Sequence, residues 1–311
     1  TSSSCKAAIS CSQVRPVDAL GAILRGKQAV VVGDTKQLPP TNFFNSMTQN
    51  DDDSVTSDLE SILGLFLAQN APSRMLRWHY RSRHESLIAV SNQEFYGGDL
   101  VVFPSPDAEK SEVGLIYHHL EDTVYERGNS ASNPKEAQIV AEAVMKHAHE
   151  SRELSLGVSA FSTAQMNAIL DRVEILRRKD SSVESFFSSH PEEPFFVKNL
   201  ENVQGDERDV MFISIGYGRD ATGRLDMNFG PLNKDGGERR LNVLITRAKS
   251  RCEVFTNLSA DDIDLGRSRA QGVYALKAFL AFAERGELSE MQTESGRVVD
   301  SPFQEAVAAR L

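Results

Sequence analysis

Cysteine is scarce in this chain: three occur in 311 residues, Cys5, Cys11 and Cys252, odd in number and widely spaced. That argues against a disulfide framework or a cysteine-held zinc site and suits a reduced, cytoplasmic protein. No apolar run approaches the roughly 18 residues of a membrane span, so no membrane partner is expected. The opening Thr-Ser-Ser-Ser-Cys-Lys lacks the long apolar core of a secretory signal. An excess of positive charge is missing as well. The net charge of −10 disfavours a freely binding basic nucleic-acid module, yet local basic patches can act within an acidic whole. Arg77, Arg81 and Arg83 form one such cluster; Arg239, Arg240, Arg247, Lys249 and Arg251 form another. Any single member is as readily a solvated surface arginine. A hydrophobic content of 40% fits a globular chain of one large or two ordinary domains.

A phosphate loop is also lacking. Gly21–Gln28 matches G-x-x-x-x-G-K but ends in Gln28, where Ser or Thr is needed. A phosphate loop follows a strand and opens a helix, so that backbone amides face the anion. Here a helix precedes and a strand follows. Gly-x-Ser-x-Gly is absent too, and serines are too numerous to nominate a nucleophile. His118 and His119 would point to opposite faces of a strand, and His147 and His149 diverge on a helix, so no metal site is expected.

What is present is alternation. A helix over Val17–Leu24 leads to a buried strand, Gln28–Val32, then a polar loop from Asn45 to Asp58 and a helix from Leu59 to Ala68. Another helix ends near Tyr96-Gly97-Gly98. Phe103-Pro104-Ser105-Pro106 reads as an interdomain crossing. Strands are expected at Val113–His119, Leu156–Phe161, Phe195–Lys198, Val210–Gly216 and Arg251–Thr256. Helices are expected from Asn133-Pro134 to His149, over Thr163–Lys179, over Asn242–Lys249 and from Ser268 to Glu284. This order implies an α/β protein with a mainly parallel sheet covered on both faces.

Four segments carry the chemistry: Gly33-Asp34-Thr35-Lys36-Gln37-Leu38-Pro39-Pro40, His79-Tyr80-Arg81, Val203-Gln204-Gly205-Asp206-Glu207, and Asn242-Val243-Leu244-Ile245-Thr246-Arg247-Ala248-Lys249. An arginine amid core-type residues needs an anion to face, because an unpaired buried charge is costly. Phosphate matches the guanidinium fork. In this order the four segments resemble the later motifs of superfamily 1 nucleic-acid helicases, of the 5′-to-3′ group.

The resemblance implies a RecA-like parallel sheet flanked by helices, preceded by the remnant of a first RecA-like domain. Residues 1–110 would be the end of the first domain, 111–287 the second, and 288–311 a tail. That tail, from Ser301-Pro302, resembles the opening helix of endonuclease-like domains. Gln37 would hold a γ-phosphate oxygen or the attacking water, Tyr80 would stack on adenine and Arg81 would reach the γ-phosphate. Gly205 would allow close backbone approach, and Glu207 would accept a ribose hydroxyl. Arg247 would be the arginine finger. Asp34, Thr35, Ser162, Gln165 and Gln204 would face nucleic acid, the last linking the site to the strand. Trp78 is read as a core residue.

The family's cofactors are ATP and Mg²⁺, and its partner is single-stranded or duplex nucleic acid, here DNA by preference. The chain departs from the pattern in four places. His79 replaces a usual Gln, Val203 replaces a hydroxyl residue, and the Pro-Tyr usual near Phe161-Ser162-Thr163-Ala164-Gln165 is missing. Ile9-Ser10-Cys11 stands where an Asp-Glu-Ala triplet is usual. These 311 residues alone are therefore expected to hydrolyse ATP poorly or not at all. The competing reading is a non-catalytic nucleic-acid or protein-binding module on a retired motor fold. The helicase reading requires Arg81, Arg247 and the two glutamine-bearing turns to converge on one triphosphate.

Overall fold

The computed structural model describes residues 6–10, 14–38, 61–105 and 113–286. The chain divides into two compact units, Thr1–Leu76 and Arg77–Leu311.

In the first unit β1 (Lys6–Ser10) and β2 (Gln28–Val32) pair in parallel, with Ile9 opposite Val31. A parallel pair needs a crossover, and α1 (Pro16–Ile23) supplies it. Pro16 sits in the first turn, where its missing N–H leaves no bond unmade. The helix precedes β2, so Gly21–Gln28 has the order opposite to a phosphate loop. α2 (Ile62–Ala68) opens at Ser61, whose hydroxyl accepts from the Gly64 amide at 3.2 Å. Buried Ala19 and Ile62 gather Val14, Ile23, Val31, Leu65 and Phe66 into a small core.

The second unit is built on five parallel strands in the order β3-β7-β6-β4-β5. They are β3 (Gly114–His119), β4 (Leu156–Ala160), β5 (Phe196–Asn199), β6 (Arg208–Ser214) and β7 (Ala248–Thr256). All of β4, and all of β6 but Asp209, is buried, as strands covered on both faces must be. A β-carbon on Gly157 would lie 2.6 Å from Phe196 Cζ and 2.8 Å from Met211 Sδ, so any side chain there would force the Phe196 ring and Met211 to shift.

Around the sheet lie α3 (Ser86–Tyr96), α4 (Pro134–Glu150), α5 (Thr163–Lys179), α6 (Phe186–Ser189), α7 (Gly237–Ile245) and α8 (Gln271–Arg285). Ala137, Val140, Ala141, Val144 and Ala148 recur at helical spacing on α4 and form its core face with Ile169 and Val173 of α5 and Val158, Val210 and Phe212 of the sheet. α3 stops where expected, at Gly97 in the left-handed conformation, φ 62°.

Three expectations need correction. The helix expected over 242–249 begins earlier and ends at Ile245, and Ala248–Thr256 is strand. Burial along Ala248–Glu253 alternates with the period of two that a strand shows, a pattern short enough to be read as a further helical turn. Trp78 is not core: it is 66% exposed, its ring 5.3 Å from that of exposed Phe103. Finally, the units divide at Leu76/Arg77 rather than near residue 110. Residues 77–105 pack with the second unit through Ser91, Tyr96 and the Arg83 amide, which donates to Lys249 O at 2.7 Å. The polar loop at 45–58, Cys5, Cys11 and the tail at 288–311 lie outside the described residues.

Candidate functional site

In the second unit the backbone brings two of the sequence motifs side by side. β6 starts at Arg208 and β7 at Ala248, and these two residues pair. The residue before each strand, Glu207 and Arg247, is therefore delivered to the same end of the sheet, where these strands begin. Gly205, at φ 88°, makes the turn into β6, and no heavy atom stands within 4 Å of where its β-carbon would be. That turn needs the left-handed conformation, and the open space leaves the backbone approachable.

Arg247 is 3% exposed. Its Nε donates to Val243 O at 2.8 Å and its Nη2 to Thr246 Oγ1 at 3.3 Å. Both acceptors are neutral, so a buried cation has no carboxylate in direct contact among the described residues. Burial, and next the charge of Arg81, bring its pKa down to about 10, against an opposing pull from Glu207. Such a guanidinium stays charged at neutral pH and favours any further negative charge that arrives.

Arg81 supplies the second cation. Its Nε lies 2.8 Å from Glu207 Oε2, and its Nη1 reaches Thr246 O at 3.5 Å. Glu207 also has Lys249 Nζ at 4.0 Å, and Lys249 pairs with Glu193. One half-exposed carboxylate thus faces several positive groups. Beside Arg81, Tyr80 is 91% exposed. His79 turns inward, its Nε2 accepting from the Ser82 amide at 3.1 Å and lying 2.8 Å from Ser82 Oγ. Burial, then Arg81, lower its pKa to about 4, so the ring is neutral.

Sequence reasoning missed the bracing behind this cluster. Asn242, buried on α7, accepts from Ser91 Oγ at 2.6 Å and donates to Tyr96 Oη at 3.3 Å. α3 is thereby tied to the helix that ends at Arg247. Asn242 stands in the motif, but nothing marks Ser91 or Tyr96 as its partners before the fold is known.

In the first unit Asp34 Oδ1 accepts from the Lys36 amide at 2.8 Å and Oδ2 from Gln37 Nε2 at 3.0 Å, while Thr35 is exposed. Gln37 is thus folded back on its own turn. Gln204 is half-buried beside Gly205. Ser162 caps α5, its hydroxyl accepting from the Gln165 amide at 3.1 Å.

Gln165 needs correction. It is wholly buried, with its side-chain oxygen accepting from Asn133 N at 2.7 Å and its amide donating to Ser214 Oγ at 3.0 Å. It braces the loop and does not present itself to a phosphate. Several arginines of the second basic cluster are likewise engaged, Arg240 with Glu201 at 3.3 Å and Arg251 with Glu253 at 3.0 Å.

The histidines take separate partners: His118 meets Glu253, His149 meets Asp180, and His147 bonds Leu154 O. Among the described residues no group of three or more His, Cys, Asp or Glu could hold a metal ion. No helix among them is long and apolar enough to cross a membrane. Cys252 is buried in β7, where desolvation pushes its thiol well above the usual range.

Residues 59–259 match the family described as an AAA domain. An uncharacterized ATP-dependent helicase of Mycoplasma pneumoniae is 31% identical over 286 residues, 88% of this chain and 25% of the relative. The DNA-binding protein SMUBP-2 of Rattus norvegicus is 25% identical over 268 residues, 79% of this chain and 24% of its own. The DNA replication ATP-dependent helicase/nuclease dna2 of Schizosaccharomyces pombe is 26% identical over 281 residues, 80% of this chain and 18% of its own. The chain therefore spans a quarter or less of the length of these relatives. With its parallel α/β sheet and these motifs in order, the chain belongs to the AAA-domain family, among the helicase-like ATPases of superfamily 1.

Proposed function

We propose that this chain is part of an ATP-driven motor that moves along or unwinds nucleic acid, DNA by preference, and that it supplies the arginine side of the nucleotide site. The observation that carries this is the juxtaposition of Arg247, Arg81 and Glu207. Two guanidinium groups face one carboxylate, and the buried one has only neutral acceptors in contact. That donor set fits a triphosphate, which brings several negative oxygens to forked donors. When bound, ATP brings the phosphoryl group to be transferred.

Arg247 and Arg81 hold the charge that develops on its oxygens, and low water access makes their contribution large. The Tyr80 ring offers a flat, solvent-facing stacking surface. Glu207, partly exposed beside Gly205, offers a carboxylate to a ribose hydroxyl. In the first unit Gln37 holds water or a phosphate oxygen, and Asp34 and Thr35 face nucleic acid. Ser162 and Gln204 contact the strand.

Mg²⁺ would enter with ATP in the intact protein, held largely by phosphate and water oxygens rather than by a cluster of three or more His, Cys, Asp or Glu, which the described residues do not form. No Gly-x-x-x-x-Gly-Lys-Ser/Thr occurs in the 311 residues, so this chain alone is expected to hydrolyse ATP poorly or not at all.

The test is nucleic-acid-stimulated ATPase in the full-length protein. Arg247→Ala lowers turnover by about 10³–10⁵-fold with circular dichroism unchanged. Unchanged turnover in a folded variant rules the assignment out and leaves the non-catalytic binding module.

A further inference from the structure

Away from the arginine site, at the other end of the same strands, lies a buried carboxylate that the proposed chemistry does not use. Glu136 is fully buried in the first turn of α4, and no cation pairs with it among the described residues. Its Oε1 accepts from Ser214 Oγ at 2.6 Å and from the Gly216 amide at 2.8 Å. Its Oε2 lies 3.3 Å from the amide nitrogen of Asn133.

The bonds continue in a fixed sense. Gln165 donates to Ser214 Oγ at 3.0 Å, so the Ser214 hydroxyl must donate onward to Glu136. Gln165 also accepts from the Asn133 amide at 2.7 Å. Asn133 donates to Thr123 Oγ1 at 2.9 Å, and Asn257 donates to Thr123 O at 2.9 Å. One carboxylate thus organises the exits of β6 and β7 and the N-terminal turns of α4 and α5. The same turn of α5 carries Ser162, bonded to the Gln165 amide. Burial pushes the Glu136 carboxyl up to about 7, opposed by its bonds from Ser214 and the Gly216 amide. A buried acid with no cation beside it is costly in either proton state, and apolar groups often fill a purely structural corner as well.

We propose that Glu136 is a positioning residue for nucleic acid: through Ser214, Gly216 and Gln165 it holds the Ser162 turn in the arrangement that meets a strand. This rests on the reading that the Ser162 surface meets nucleic acid. Glu136 touches neither the strand nor the nucleotide side, where Arg81, Glu207 and Arg247 stand.

The experiment uses the 311-residue chain and a labelled oligothymidylate of about 20 nucleotides, long enough for one binding site. The variants are Glu136→Ala, Glu136→Gln, Ser162→Ala and Val140→Ala. Val140 is buried on the next turn of α4, so truncating it loosens the same helix without touching the bonded chain. Affinity is measured where melting shows every variant folded, and hydrogen exchange is followed at the Gly216 amide.

Glu136→Ala is expected to weaken binding about tenfold, the effect of orphaning buried donors, and to speed exchange at Gly216. Glu136→Gln, whose amide oxygen still accepts from Ser214 and Gly216, recovers most of the affinity. Val140→Ala melts earlier but binds as the parent chain does. Equal loss in Val140→Ala, or none in Glu136→Ala while Ser162→Ala weakens binding, overturns the proposal alone. A parent chain that does not bind, or one that binds equally well with Ser162→Ala, overturns the underlying reading and the proposal with it.

Discussion

At the scale of single residues, the chemistry of this chain depends on where protons and charges are held. Arg247 keeps its charge although buried, because its fork is anchored to Val243 O and Thr246 Oγ1 and Glu207 is close enough to help. A lysine there would keep the charge and lose the fork, which is why the two cations are not interchangeable. His79 is the opposite case. Half-buried beside Arg81, it is held neutral, with a pKa lowered to about 4. The sign of the stability effect follows from linkage. The unfolded chain protonates His79 near pH 6.5, whereas the folded chain resists until about pH 4. This contribution is therefore present above about 6.5 and is lost as pH falls towards 4. NMR of the ring nitrogens should show no titration of His79 between pH 5.5 and 8, and His79→Gln should lessen the loss of stability on acidification. A His79 midpoint near 6.5 would contradict the inward placement of the ring.

At the scale of elements, apolar periodicity made most of the second unit legible. The helix Thr163–Lys179 falls on the expected residues, and Asn133 with Pro134 marks the start of α4. In the first unit the strand Gln28–Val32 does so too, but it is not the buried strand expected, its residues alternating exposed and half-buried. Failures came where local pattern is ambiguous. Ala248–Glu253 has too few apolar residues to declare its period, and the neighbours that make it a strand, β3 and β6, are distant in sequence. Trp78 misled for another reason, since a large aromatic ring raises the odds of burial without determining it. Gly157 looks incidental in sequence, yet it limits how β4 can meet the edge strand. Gly157→Ala would push a β-carbon against Phe196 Cζ and Met211 Sδ, destabilising the chain by about 1–3 kcal/mol as overpacked cores do. Adding Phe196→Leu should recover part of that loss. Urea unfolding of the single and double variants measures both, and a single variant as stable as the parent would show that the ring moves freely.

At the scale of the whole molecule, composition and motif pull in different directions. A net charge of −10 suggests an acidic globule, whereas the ordered motifs imply a nucleic-acid machine. The arginine cluster was readable because its members sit in short, distinctive segments. Its bracing by Ser91 and Tyr96, and the burial of Gln165 and Glu136, were not, because each depends on partners many residues away that only the folded sheet brings close. The fold also shows how the opposing charges are reconciled. Lys198 pairs with Asp206, Arg240 with Glu201, Arg251 with Glu253, Arg219 with Asp262 and Arg127 with Asp226. Some basic residues that look available in sequence are thus engaged by carboxylates and less ready to neutralise phosphates. On the proposed function, affinity for single strands would then rest more on stacking and neutral hydrogen bonds than on counterion release. The slope of log affinity against log salt for an oligothymidylate is accordingly expected to be shallow, about −1 to −3, since each neutralised phosphate of a single strand contributes about −0.7. A slope beyond about −5 would mean that several of these ion pairs open to bind phosphate, so that the carboxylates act as competitors displaced by the strand.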